Sequence, residues 1–181
     1  MKQIPVAGKA LTLLFTAAFL VACSGTGTKD ADEAAVASAA AAASAAAAAE
    51  AARDADRQAE SAAAQMQRQL EQAAMAAGTV FYFDFDSSTL TQSAQTALDA
   101  HIALLKTNDR SIRLDGHTDE RGTRDYNMAL GERRGNAVRD YMVVNGVASY
   151  RIETVSYGEE QPVAYGSSES NWSQNRRVEL K

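Results

Sequence analysis

The chain has 181 residues, with 18 Lys and Arg against 23 Asp and Glu and a formal net charge of −5. Both signs are spread along it without a block of Lys or Arg long enough to neutralise many phosphates, which argues against nucleic acid as a partner. A single cysteine leaves no intramolecular disulfide, and two isolated histidines, His101 and His117, make no convincing metal site. The length predicts one compact domain of roughly 100 to 150 residues plus additional segments.

At the N-terminus, Lys2 and Lys9 flank the approach to an apolar run from Ala10 to Val21, which ends in Leu20-Val21-Ala22-Cys23. A basic start, a short apolar stretch and a small residue before a break are the layout of a secretory signal, here 1–22. About a dozen apolar residues are too few to span roughly 30 Å of hydrocarbon as a permanent helix, so the segment is expected to be removed. The Leu-Val-Ala-Cys tetrad resembles the bacterial lipobox. That resemblance implies that Cys23 carries a diacylglyceryl group, becomes the mature N-terminus of a lipidated segment 23–29 and is N-acylated. Each buried methylene contributes roughly 0.8 kcal/mol, so three acyl chains make an effectively permanent anchor in membrane lipid. In the lipoprotein family a residue other than Asp after the cysteine, here Ser24, implies delivery to the outer membrane of a Gram-negative cell, facing the periplasm. No other cofactor is expected.

From 30 to 77 the chain is dominated by alanine and holds neither Gly nor Pro. Alanine loses no side-chain entropy on entering a helix, so the stretch is expected to be helical, roughly 70 Å long. Its sizeable apolar side chains are Met66, Leu70 and Met75, with no heptad of Leu or Ile, so a semi-rigid spacer is favoured over a helical oligomerisation element. Gly78 closes the helix, and a globular domain is expected over 79–181.

Within that domain, Val80-Phe-Tyr-Phe-Asp-Phe85 reads as a strand with Phe81, Phe83 and Phe85 on one face. Leu90, Ala94, Ala97, Leu98, Ile102 and Leu105 then recur at helical spacing. Ile112, Leu114 and Gly116 alternate with Arg113, Asp115 and His117 in a second strand. Leu130, Ala137, Val138, Tyr141 and Met142 form the stripe of a second helix, which Asn145-Gly146 ends. A third strand runs from Ile152 to Tyr157, and Val178 with Leu180 marks a short last one. The order βαβαβ plus a late strand predicts an α/β two-layer sandwich, with two main helices on one face of a small mixed sheet.

Between the second strand and second helix runs Gly116-His-Thr-Asp-Glu-Arg-Gly-Thr-Arg-Asp-Tyr-Asn-Met-Ala-Leu-Gly-Glu-Arg-Arg134, a charged loop entering an amphipathic helix. Together with Val155-Ser-Tyr-Gly-Glu-Glu-Gln-Pro162 and Asn175-Arg-Arg-Val-Glu-Leu-Lys181, it resembles the OmpA-like peptidoglycan-binding domain, and the peptidoglycan-associated lipoproteins more closely than that domain at large. The resemblance covers Val80 to Lys181 and implies non-covalent binding of peptidoglycan through the diaminopimelate of its stem peptide. In the family the ligand's ammonium meets an Asp and its carboxylate an Arg fifteen residues on, which fall on Asp119 and Arg134. The chemistry is apt, because a planar guanidinium donates two parallel hydrogen bonds to a carboxylate and an aspartate is a pure acceptor. Leu130 and Phe85 match the apolar rim and Asp86 a loop position beside the site, although Phe85 reads equally well as core. Gly122, Asn127, Asn175 and Arg176 match as support for the site. The resemblance also implies TolB and other Tol proteins as partners, in the Tol-Pal system that draws the envelope inward at cell division. A generic wall-anchoring lipoprotein without a Tol partner is the alternative.

An enzyme is not expected. Asp84-Phe-Asp86-Ser-Ser-Thr resembles the nucleophile motif of haloacid-dehalogenase-type phosphotransferases, but that chemistry needs a downstream lysine and none lies between Lys106 and Lys181. His117 with Asp119 and Glu120 offers an acid/base group without a matching nucleophile.

Overall fold

The computed structural model describes residues 28–181, with side chains from Val36 onward, so the expected signal segment and Cys23 lie outside the described residues. The chain divides into two units, Met1–Ala52 and Arg53–Lys181. The first contributes the opening half of helix α1 (Thr28–Ala77), whose side chains from Val36 to Ala52 are all exposed, as an alanine surface without large apolar residues requires. Among the described residues no helix is long and apolar enough to cross a membrane.

In the second unit the end of α1 acquires an inward side: Ala74 is buried and Leu70 half-buried. Gly78, at φ +73°, ends the helix in a left-handed conformation that costs an L side chain more than glycine. Its carbonyl lies 2.6 Å from His101 Nε2 on the next helix. There follow β1 (Val80–Tyr82), α2 (Gln92–Leu105), β2 (Ile112–His117), α3 (Arg124–Val144), a 3-10 turn (Ser149–Arg151), β3 (Ile152–Gly158), α4 (Glu169–Asn175) and β4 (Arg177–Leu180). The sheet order is β1-β4-β2-β3, with β2 and β3 parallel and β4 antiparallel to both its neighbours. The last strand therefore inserts between the first and second, and a mixed α/β two-layer sandwich results, as the sequence pattern predicts.

The helices begin where hydroxyls can take orphan backbone donors. Thr91 accepts from the Ala94 amide at the start of α2, and Thr123 accepts from the Tyr126 amide at the start of α3. Leu98, Ile102 and Leu105 of α2, Val138 and Met142 of α3, and Phe81, Leu114 and Val178 from three strands form one core. Each such side chain contributes roughly 1.5 to 3 kcal/mol when fully buried.

Four details differ from the sequence-based expectations. Strand β1 stops at Tyr82: the Phe83 amide still donates to the Arg176 carbonyl, but Asp86 at φ +53° turns the chain away. Phe81 and Phe83 are buried while Phe85 is 58% exposed, so the three rings do not share a face. On α3 the buried stripe is Asn127, Leu130, Gly131, Arg134, Gly135, Val138 and Met142, with Ala137 and Tyr141 only half-buried. Glycines set that rotation: a Cβ on Gly116 would sit 2.1 Å from the Gly131 carbonyl oxygen, and one on Gly131 would sit 2.3 Å from Ser156 Oγ. This close approach of α3 to the backbone of β2 and to Ser156 of β3 turns the face that carries Leu130 and Arg134 inward. Finally, two of the three polar positions of β2 are also covered: Asp115 accepts from the exposed Arg113, and His117 stacks on Tyr157, beside the Arg177–Glu179–Lys181 ion pairs of β4.

Candidate binding site

The C-terminal end of β2 delivers Thr118 and Asp119 to the same end of the sheet as the turn after β1 and the first two turns of α3. Between them lies a cavity of about 200 Å³ lined by Phe85, Asp86, Thr118, Asp119, Arg121, Gly122, Tyr126, Asn127, Leu130 and Arg134. Phe85, Asp86, Asp119, Leu130 and Arg134, the five expected contact residues, all line it, and so do Gly122 and Asn127.

Arg134 forms its floor. It is fully buried, and donates from Nε to the Ser87 carbonyl at 2.8 Å, from Nη1 to the His117 carbonyl at 3.0 Å and from Nη2 to the Asp84 carbonyl at 3.1 Å. A guanidinium has five N–H donors, so three are committed to backbone and two are left. Among the described residues no carboxylate lies within ion-pair distance of it, and burial lowers its pKa to about 10, which keeps it charged at neutral pH. A buried cation without a paired anion is an electrostatic deficit that a ligand carboxylate would relieve.

Asp119 is in the opposite condition. Its Oδ1 accepts from the Arg121 amide and Arg121 Nε, both at 3.1 Å, while Oδ2 accepts from Arg121 Nη2 at 2.6 Å and Arg176 Nη1 at 3.3 Å. Burial alone would raise its pKa, but hydrogen bonds from Arg121 and Arg176 outweigh it and hold the carboxylate ionised below its usual range. The Arg121 guanidinium is sandwiched between rings, 3.9 Å from the Phe85 centroid and 4.1 Å from that of Trp172.

The supporting residues act on backbone. Gly122 turns the loop at φ +108°, and Asn127 Nδ2 donates to the Arg121 carbonyl at 3.1 Å, tying that loop to α3. Asn175 and Arg176 do not line the cavity. Asn175 accepts from the Val163 and Ala164 amides, and Arg176 donates to the Phe83 carbonyl, to Asp119 and to Glu169 behind the cavity wall. Asp86 accepts from the Tyr126 hydroxyl across the cavity mouth, and this bond raises the tyrosine's pKa.

His117 is not at the cavity. It is buried against Tyr157, and burial followed by the nearby Arg177 charge pushes its pKa down to about 4. Glu120 faces away from it, accepting from Ser167 Oγ and Trp172 Nε1. Among the described residues no cluster of three or more His, Cys, Asp or Glu could hold a metal ion. Thr118, Arg121 and Tyr126, which line the cavity, and Trp172, which stacks on Arg121, are the residues that sequence reasoning did not single out. Arg121 lay within the charged loop, but nothing local says that it folds back on Asp119, and Trp172 arrives from α4, a short helix without apolar periodicity.

A two-layer α/β domain with a small charged cavity at one end of its sheet, rimmed by aromatic residues, defines a ligand-binding module. The profile of the OmpA family matches residues 82–176, and the chain belongs to that family. It is 57% identical over 110 residues to a peptidoglycan-associated lipoprotein of Pseudomonas putida, covering 61% of this chain and 66% of the relative. It is 50% identical over 102 residues to one of Mesorhizobium japonicum, covering 56% of this chain and 61% of that relative. The chain thus spans less than two thirds of these relatives' own length. Among solved structures, the peptidoglycan-associated lipoprotein of Burkholderia pseudomallei superimposes with a TM-score of 0.56 at 46% identity, over 57% of this chain and 89% of that one.

Proposed function

We propose that this protein is a lipid-anchored outer-membrane protein that faces the periplasm and binds peptidoglycan non-covalently, by gripping the diaminopimelate of the stem peptide between Asp119 and Arg134. The observation that carries this reading is the single cavity bordered by both side chains, one a buried guanidinium with two uncommitted donors. A diaminopimelate side chain ends in a carboxylate and an ammonium on one carbon. Its carboxylate matches the donors of Arg134 and its ammonium the oxygens of Asp119. Phe85 and Leu130 supply apolar walls, and Asp86 adds a second acceptor at the mouth. The names of the similar lipoproteins support peptidoglycan as the polymer that is bound.

On this reading Cys23 carries the acyl chains, 30–77 is the tether, and TolB competes with the wall for the cavity end as part of the Tol-Pal system acting at division. Binding of the purified full chain, in mild detergent, to diaminopimelate-type and lysine-type muropeptides tests the site. Tight binding of the first only, lost in Asp119→Ala, is expected; equal binding of both would refute the assignment. TolB that fails to displace the muropeptide would leave a wall anchor without a Tol partner. A Cys23→Ser protein that still sediments with outer membrane would sink the anchor.

A further inference from the structure

Asp119, the residue assigned to the ligand's cation, has no free lone pair. A carboxylate offers about four acceptor positions, and four N–H contacts occupy them, three from Arg121 and one from Arg176. An incoming ammonium must displace one of these donors. Arg176 is held fast: it is buried, and it also donates to the Phe83 carbonyl at 3.0 Å and to Glu169 Oε1 at 2.6 Å. The Arg121 amide is fixed by its turn. The Arg121 guanidinium alone has both exposure, 28% for its side chain, and a second acceptor within reach, Glu169 Oε2, 3.7 Å from Nη1 on the solvent side.

We propose that Arg121 is a resident counter-ion that ligand must exchange: the ligand's ammonium replaces the Arg121 guanidinium on Asp119, and Arg121 slides between Phe85 and Trp172 onto Glu169. The aromatic pair is suited to such a track, because attraction of a cation to a ring face is broad in direction and survives a lateral shift. The consequence is selectivity. A ligand with a neutral group where diaminopimelate has its ammonium cannot compensate Asp119 for losing a forked guanidinium, so it is rejected by the exchange itself. Charge is conserved at Asp119, which keeps two cations before and after, Arg176 throughout and Arg121 or the ligand's ammonium beside it. This inference rests on the wall-binding reading and adds to it a residue that sets ligand choice.

The chain has one tryptophan, Trp172, and Arg121 stacks on it, so its emission reports the exchange. The full chain is titrated with a disaccharide tetrapeptide containing diaminopimelate, following Trp172 fluorescence and, by calorimetry, affinity. In the parent, emission is expected to change on binding. Arg121→Ala should bind roughly two- to fivefold tighter, the range that a partly solvent-screened ion pair can withhold, and should lose the emission change. Arg121→Lys, which keeps the charge without the fork, should bind tighter by a smaller factor. Glu169→Gln, which removes the receiving charge, should weaken binding in the parent but not in Arg121→Ala. Weaker or unchanged binding in both Arg121 variants, or an emission change that persists in Arg121→Ala, overturns the exchange while leaving wall binding intact. If neither parent nor variants bind, the wall-binding reading falls and the exchange with it.

Discussion

Replacing Arg134 by methionine separates the two roles that the structure concentrates in one side chain. Methionine retains much of the stem's volume but none of the donors, so the Asp84, Ser87 and His117 carbonyls lose their guanidinium partners together. A buried acceptor left unsatisfied costs about 1 to 3 kcal/mol. Three of them near the lower end give about 3 kcal/mol, and water entering from the cavity side lowers the figure for Asp84 and Ser87. Against this stands the relief of no longer burying an unpaired cation, which in other proteins makes apolar replacement of buried charges neutral or favourable. Here the carbonyls remain after the charge is gone, so the net is expected to be a loss of about 2 kcal/mol. Urea unfolding of the full chain at neutral pH, followed by Trp172 emission, measures it. A variant within about 0.5 kcal/mol of the parent would refute the claim that Arg134 ties the turn after β1 to the end of β2. Muropeptide binding should vanish in this variant under conditions where it remains folded.

Other residues give equally direct expectations. Gly116→Ala would place a Cβ 2.1 Å from the Gly131 carbonyl oxygen, a backbone atom that cannot swing aside, and should destabilise the domain by about 3 kcal/mol or more, read as a lowered urea midpoint. Phe85→Ala, at an exposed ring, should leave stability within about 0.5 kcal/mol while weakening muropeptide affinity, and a large stability loss would return Phe85 to the core. For His117 the folded pKa of about 4 lies below the unfolded value of about 6.5. Between these values the unfolded chain binds a proton that the folded chain does not, so stability should fall as pH drops from about 6.5 to 4, by an amount on the order of 3 kcal/mol, and His117→Gln should flatten that slope.

Much of the fold was legible because the relevant patterns are local. The apolar spacing from Leu90 to Leu105, the Asn145-Gly146 stop and the alternation from Ile112 to His117 each name an element by its own period. The failures share a cause. Phe85 continued the alternation of Phe81 and Phe83, but Asp86 turns the chain, and no neighbouring residue announces a left-handed aspartate. On α3, arginine and glycine do not register as an apolar stripe, so nothing in the sequence marks Arg134 as a buried tie to three backbone carbonyls. Helix α4 has seven residues and no stripe at all, yet it carries Trp172 onto the Arg121 guanidinium.

The sequence by itself, through the resemblance of its charged loop and following helix to the OmpA-like domain, determined that Asp119 and Arg134 are the pair to look for at the candidate site. It also determined the helical character of the alanine-rich stretch, where intrinsic propensity acts without tertiary help. Only the tertiary structure decided the state of those charges. Arg134 is buried since glycines on α3 and β2 let two backbones touch, and Asp119 is saturated since Arg121 folds back and Arg176 arrives from fifty-seven residues away. Side-chain charge is written in the chain, but its desolvation and its partners depend on what distant segments bring to it.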